Sequence, residues 1–252
     1  MLMVTEFGVV YVSDLLKSTK VNPTDSNDAK YVQQLVSSAV TITGNKFGWQ
    51  PFIFPAANMV ILNIPATDVN SYQFVMNDIT KAWSEFIGYE AYCWELHDNL
   101  PFYGSFGAVY RAWEGTTDDH EVINDVIVGG KDIRAEVQTT FSYFESLGIQ
   151  KHFKMMRPTI MSRGAFSVAL SANMDFVFDS PVAPSAFNFA HPGIWDEDLW
   201  DNATWEGGLT TYKTWQAVTG IGTAAAIRML IRSRQETFWA AVDWLYEEGG
   251  VM

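Results

Sequence analysis

The fold is decided by the stretch NMVILNIPATDVNSYQFVMNDITKAWSEF, residues 58–86. It contains three short runs that are rich in β-branched, aromatic and other apolar residues, at 58–65, 71–76 and 81–86. Runs of this length, bounded by proline and by polar residues, are typical of β-strands. The pair Asn-Asp at 77–78 predicts a hairpin between the second and third runs.

The same pattern continues on both sides of this stretch. AYCWEL (91–96) turns into PFYGSF (101–106), and Gly107 precedes AVYRAW (108–113). The first 13 residues predict a strand or hairpin, with Gly8 at a bend. Short strands at intervals of about ten residues are typical of sandwiches, barrels and propeller blades. We expect antiparallel, blade-like meander sheets of the β-propeller kind.

One short helix is predicted near the N-terminus, at about 27–40. Ser26 or Asn27 can cap it, since a side-chain oxygen there accepts a hydrogen bond from the first helical turn. The apolar residues that share one face at helical spacing are Tyr31, Val32, Leu35, Val36, Ala39 and Val40.

A change in composition separates two predicted domains. EGTTDDHEVINDVIVGGK (114–131) combines an acidic stretch with a glycine pair, and we interpret it as a loop at a domain junction. This gives a blade-like β domain at 1–128 and a β-sandwich-like domain at 129–252. The predicted strands of the second domain are 133–144, 151–161, 166–176, 223–233 and 237–247. The last two also fit helices by periodicity, and the glycines and polar residues around them favour strands.

The composition limits the possible functions. Apolar residues make up 48% of the 252, which excludes a disordered chain. Lys and Arg number 16 against 29 Asp and Glu, a net charge of −13, which argues against a protein that coats nucleic acid. Charged residues make up only 18%, so we expect other subunits to cover part of the surface. We find no signal peptide, no apolar window long enough to span a bilayer and, with Cys93 alone, no internal disulfide.

No catalytic or metal-binding motif stands out, and we predict neither an enzyme nor a cofactor. The sequence lacks a GxSxG elbow, a Walker loop, an HExxH pair and a GxGxxG loop. The histidines are too dispersed for a zinc site: His97, His120, His152 and His191. Two groups of carboxylates could bind a hard cation or act as paired acids, although solvated acidic loops explain them better. These groups are Asp118, Asp119, Glu121 and Asp125, and Asp196, Glu197, Asp198 and Asp201.

A loop at 193–208, GIWDEDLWDNATWEGG, carries Trp195, Trp200 and Trp205, each followed by an acidic residue. A spacing of five matches neither a strand face nor a single helix face, so we expect successive turns. The indoles could form a platform for a sugar or a partner chain. The simpler interpretation is an irregular loop that its indoles hold against the core or a neighbouring subunit.

The segment 131–163 is locally basic, with six cationic residues against three acidic ones. The cationic residues are Lys131, Arg134, Lys151, Lys154, Arg157 and Arg163. They could contact nucleic acid, or they could match acidic loops of a neighbouring subunit. We favour the second interpretation and predict inter-subunit ion pairs at Lys151, Lys154 and Arg157.

Four segments resemble, in the same order, the C-terminal part of tail hub or nozzle proteins of short-tailed bacteriophages. They are YQFVMNDITKAWSEFIGYEAYCWEL (72–96), FYGSFGAVYRAWEGTTD (102–118), FSYFESLGIQKHFKMMRPTIMS (141–162) and VDWLYEEGGV (242–251). The run from Phe141 to Pro158 is the most specific of them. Members of that family usually carry a further N-terminal region, so we expect that region to be encoded elsewhere or replaced by another subunit.

The resemblance implies a structural virion protein, made in the bacterial host cytoplasm and built into the phage tail. It implies a ring of six copies, a head-to-tail connecting nozzle with β-propeller-like and sandwich-like domains around the DNA-exit channel. The implied partners are further copies, portal or adaptor proteins, distal tail proteins, and genomic DNA that passes without sequence-specific binding. The alternative is a carbohydrate-binding or carbohydrate-active β-protein, either receptor-binding or sialidase-like, with the tryptophan platform as its site.

Overall fold

The computed structural model describes residues 2–5, 8–11, 32–67, 70–123, 126–179, 181 and 209–251. The protein is mainly β, its sheets are antiparallel, and one α-helix lies near the N-terminus, as the sequence predicted. The chain divides into two compact units, Met1–Glu114 and Gly115–Met252. The division therefore falls fourteen residues before the boundary expected at 128.

Unit 1 contains two meander sheets and a separate hairpin. Its strands are β1 (Leu2–Thr5), β2 (Gly8–Tyr11), β3 (Gln50–Phe54), β4 (Met59–Pro65), β5 (Ser71–Asn77), β6 (Trp83–Phe86), β7 (Cys93–His97), β8 (Leu100–Ser105) and β9 (Ala108–Arg111). Strands β3 to β6 form a four-stranded sheet in chain order, which is the strand arrangement of a propeller blade, and β7 to β9 form a three-stranded sheet. In the first 13 residues, for which the sequence predicted a strand or hairpin, β1 pairs with β2.

The four-stranded sheet is buried on both faces at β4. All seven residues of this strand are buried, which explains why its sequence is apolar except for Asn63 and does not alternate. One face packs Leu62 and Ile64 against the helix, and the other packs Ile61 against Trp94 and other residues of the three-stranded part. The core of unit 1 therefore lies on both sides of β4.

The helix α1 spans Gln33–Thr43, so its described part ends three residues after the predicted end at 40. Val36, Ala39 and Thr43 are its buried residues, and their spacing of three and four places them on one face. Val32 precedes the helix without a side-chain cap. The predicted caps Ser26 and Asn27 lie outside the described residues.

The segment 114–131, which we expected to be a loop, contains a hairpin. Strand β10 (Asp118–Ile123) pairs with β11 (Val126–Lys131), and Asp118 lies opposite Lys131. A strand that begins with two aspartates carries little local β-signal. Strand β10 is recognised only through its pairing with β11, which is rich in valine and isoleucine.

Two further sheets form the rest of unit 2. The first has the order β12 (Ile133–Gln138), β17 (Ala225–Ser233), β14 (Phe166–Met174). In the second, β13 (Ile149–Ser162) pairs with β15 (Thr210–Lys213) and β16 (Gln216–Gly222), and also with β18 (Thr237–Val251). Both sheets supply the same core: Phe166, Val168, Leu170, Ile227 and Met229 from one, and Met156 and Ile160 from the other, with Trp239 and Trp244 packed against it. This is a β-sandwich-like arrangement.

The last two predicted segments, 223–233 and 237–247, are strands and not helices. They do not pair with each other. Strand β17 pairs with β12 and β14, whereas β18 pairs with β13 in the other sheet. The polar residues between them therefore carry the chain from one sheet of the sandwich to the other.

Candidate functional site

The basic segment 131–163 is the best candidate site that the sequence offered, and the structure accounts for each of its six cationic residues within the chain. Lys131 Nζ lies 2.5 Å from Asp119 Oδ2, and Arg134 pairs with Glu136 at 3.1 Å. Arg163 Nε lies 3.1 Å from Glu236 Oε2, far along the sequence. Folding thus brings acidic groups from outside the segment to Lys131 and Arg163, whereas Arg134 pairs with Glu136 inside it.

Lys154 and Arg157 lie on β13 and face β18, whose acidic residues neutralise them. Lys154 forms an ion pair with Glu247. Arg157 lies directly opposite Asp243 in the strand register and donates to its Oδ2 from Nε at 2.9 Å and from Nη2 at 2.8 Å. The Arg157 guanidinium also stacks over the Trp215 ring, with its carbon 4.7 Å from the ring centroid. Both side chains are thus engaged inside one chain and not held free for a neighbouring subunit.

The pKa of the Glu247 carboxyl is held below its ordinary value, first by the hydrogen bond from Lys154 and then by its charge. The pKa of Glu136 is lowered in the same way by hydrogen bonds from Arg228 and Arg134, against a smaller opposing effect of burial. Such shifts describe stable ion pairs on strands. They do not indicate a group poised for proton transfer near neutral pH.

The inter-subunit ion pair predicted at Lys151 has to be corrected. The Lys151 side chain is fully buried, with 0% exposure, and cannot reach a neighbouring subunit. Its Nζ donates to the backbone carbonyl oxygens of Ser146 at 2.8 Å, Ile149 at 3.2 Å and Thr223 at 3.3 Å. A lysine ammonium has three donors, and here each has an acceptor. We call these three carbonyl oxygens the ammonium cage.

Asp175 lies next to the cage and was not singled out by the sequence. Its Oδ1 accepts hydrogen bonds from Thr223 N at 2.8 Å, Thr223 Oγ1 at 2.8 Å and Ala224 N at 3.0 Å. Burial acts to raise the pKa of Asp175, but these hydrogen bonds and the charge of Lys151 hold it below its ordinary value. In the sequence, the only signal is that an aspartate follows a strand. In the structure, the backbone φ of Asp175 is positive, at 45°.

A second arrangement that the sequence did not reveal is a buried amide network in unit 1. Asn63, in the middle of β4, donates to the carbonyl oxygens of Gly48 at 2.8 Å and Ala91 at 2.9 Å. Its own oxygen accepts from Gln73 Nε2 at 2.9 Å and from the Trp94 indole at 3.0 Å. A polar residue inside an apolar strand was the available signal. The network joins β4 and β5 to β7 and the segment before it, and it has no reactive group.

Trp195, Trp200 and Trp205, the residues of the predicted tryptophan platform, lie outside the described residues, as do His191 and the acidic residues between 196 and 201. In the other acidic group, Asp118 and Asp119 are exposed on β10. Among the described residues, no set of three His, Cys, Asp or Glu side chains is placed to bind a metal ion. In the same part of the chain, no helix is long and apolar enough to span a membrane.

Large apolar side chains are exposed on both units. In unit 1 they include Phe47, Phe106 and Val109, of which Phe106 is 84% exposed at the turn between β8 and β9. In unit 2 they include Leu147 and Phe178. Exposed apolar residues are normal on a protein surface, and a contact site is indicated where they form a contiguous patch.

No protein-family model matches the chain, and no curated protein sequence matches it.

Proposed function

We propose that the chain is a structural virion protein, a subunit of the ring that forms the tail nozzle or hub of a short-tailed bacteriophage. The observation that carries the proposal is the ordered set of four segments that resemble this family. They include or overlap β5, β6, β7, β8, β9, β13 and β18, so the resemblance involves strands of both units. In the virion, its partners are further copies of the chain, portal or adaptor proteins, and distal tail proteins.

The exposed apolar side chains support an assembled subunit. Phe47 and Phe106 in unit 1, and Leu147 in unit 2, expose more than three quarters of their surface in the single chain. Covering such groups in a protein contact is favourable by roughly 25 cal/mol for each Å² removed from water. In a closed ring each copy covers part of its neighbour, so the apolar groups of every copy are removed from water and every copy is stabilised.

The charge distribution supports a conduit for DNA that does not bind it. The net charge is −13, and the segment 131–163 holds its cationic groups in contacts within the chain. Phosphate binding requires cations that can exchange their counterions for the nucleic acid. An acidic wall without such cations lets a duplex slide past.

Electron microscopy of the purified protein and of disrupted virions tests the proposal. We expect closed rings, with six-fold symmetry, and the same subunit in the tail of the virion. Size-exclusion chromatography with light scattering gives the mass of the assembly in solution. A chain that stays monomeric at micromolar concentration and is absent from virions would overturn the proposal.

A further inference from the structure

The ammonium cage has the composition of a small cation site. Three backbone carbonyl oxygens converge on one point, and Lys151 supplies the cation from its own side chain. Carbonyl oxygens that converge in this way replace the hydration shell of a monovalent ion. An unpaired buried charge is very costly, so the cage has to be complete for Lys151 to stay buried.

The cage joins two parts of unit 2 that are distant in sequence. Ser146 belongs to the loop before β13 and Ile149 is the first residue of that strand, whereas Thr223 lies in the turn between β16 and β17, 72 residues from Lys151. The same loop is also fixed by Ser146 Oγ, which donates to Glu248 at 2.9 Å, and by the Phe144 ring, which packs on Phe153. Lys151 is thus the only charged group in the loop's contact with the turn, among the bonds described here.

The peptide groups of the turn are held from two sides. Asp175 accepts from the Thr223 N–H, and Lys151 donates to the Thr223 carbonyl oxygen. Hydrogen bonds arranged in a chain of this kind polarise one another. Gly222 allows the close approach, because a Cβ at that position would lie 2.9 Å from Asp175 Oδ2.

We propose that Lys151 is a built-in cation that locks the loop 142–149 to the turn 222–224, with Asp175 as the counter-charge. The cage is accordingly a binding site for a small primary ammonium ion once the lysine side chain is removed. The lock holds the exposed side chains of Tyr143 and Leu147 in a fixed place on unit 2.

Chemical rescue tests the cage. Lys151→Ala removes four heavy atoms, and n-propylammonium has the same four. We expect the variant to unfold at a temperature lower by roughly 10 °C, and millimolar n-propylammonium chloride to restore about half of that loss. The matched control is Lys154→Ala, which breaks an exposed ion pair and should shift the midpoint by only about 1–2 °C, without rescue. Equal recovery with n-propanol or sodium chloride, or no recovery in a folded variant, would refute the cation site.

Two measurements keep the proposal testable if Lys151→Ala does not fold. In the unchanged protein, acetylation followed by mass spectrometry should modify Lys151 at least about a hundredfold more slowly than Lys154. In Asp175→Asn, hydrogen exchange of the amides at 142–149 should quicken by about tenfold, while residues 59–65 of unit 1 keep their rates. Equal acetylation of the two lysines, or unchanged exchange in the loop, would overturn the lock.

Discussion

The buried side chain of Asn63 connects several strands in the core of unit 1. Asn63 has 0% exposure and makes four hydrogen bonds that connect β4 with β5, β7 and two backbone carbonyl groups. A buried amide with all of its partners specifies one arrangement of the strands around it, since any other leaves groups unpaired. The apolar residues of the core, by contrast, tolerate several arrangements.

We expect Asn63→Leu to destabilise the protein by about 3 kcal/mol, because the leucine leaves the groups around it without partners. The free energy of unfolding from urea denaturation measures this. Asn45→Leu, at an exposed turn position, is the matched control and should cost less than about 0.5 kcal/mol. Similar losses for both variants would show that the network does not matter.

Asp175 makes the stability of the protein depend on pH in the acidic range. Its pKa is lower in the folded chain than the ordinary 3.8, so the unfolded chain binds the proton more readily. Its contribution to stability is therefore complete above about pH 5 and falls as the pH drops through the lowered folded value. Asp175→Asn should cost about 1 kcal/mol at pH 7 and should flatten the loss of stability between about pH 5 and pH 2. Urea titrations at each pH measure the difference, and an unchanged slope would contradict the assignment.

At the scale of the elements, two strands organise the units. Strand β4 is buried on both faces in unit 1, and β13, with 14 residues, pairs with three other strands in unit 2. Central strands of this kind bury more apolar surface per residue than edge strands. Substitutions in them should therefore cost more than the same substitutions at an edge.

Two isoleucines of unit 1 allow the cost of the same substitution to be compared between a central strand and an edge strand. Ile61 on β4 is 4% exposed, and Ile53 on the neighbouring edge strand β3 is 49% exposed. We expect Ile61→Ala to lower the free energy of unfolding by about 3–4 kcal/mol and Ile53→Ala by less than about 1 kcal/mol. Equal losses would show that β4 is not the centre of the core.

At the scale of the whole molecule, the cationic groups of the segment 131–163 have their partners within the chain, although the chain as a whole is acidic. Arg157 pairs with Asp243 and Lys154 with Glu247 between β13 and β18, so both cations already have acidic partners in the single chain. The exposed apolar side chains remain as the groups available for contacts between copies. The proposed ring should consequently rest on apolar contacts.

We therefore expect the assembly to persist in 1 M sodium chloride, where charges are screened beyond about 3 Å. Arg157→Ala should leave the mass of the ring unchanged and cost the single chain less than about 1 kcal/mol, because the pair is partly exposed. Phe106→Asp should instead dissociate the ring, because a charged group then replaces an exposed apolar side chain that we expect the neighbouring copy to cover. Sedimentation velocity at low and high salt compares the unchanged protein with the two variants. If salt alone dissociates the ring of the unchanged protein, the contacts between copies are ionic and the expectation is wrong.

The sequence by itself determined the local structure. Alternation, β-branched and aromatic runs, and polar turns gave the strands and hairpins from β4 to β9, and the flanking glycines correctly favoured strands for β17 and β18. These features depend on neighbours within a few residues, which the sequence displays directly.

Only the tertiary structure decided how the charges are used and which strands are partners. The acidic partner of Arg157 lies 86 residues away, Lys151 is buried among carbonyl groups, and β17 and β18 belong to different sheets. The acidic strand β10 likewise became visible only through its partner. Pairing and burial are set by residues that are distant along the chain, and a basic segment in the sequence is not a basic surface until its neighbours in space are known.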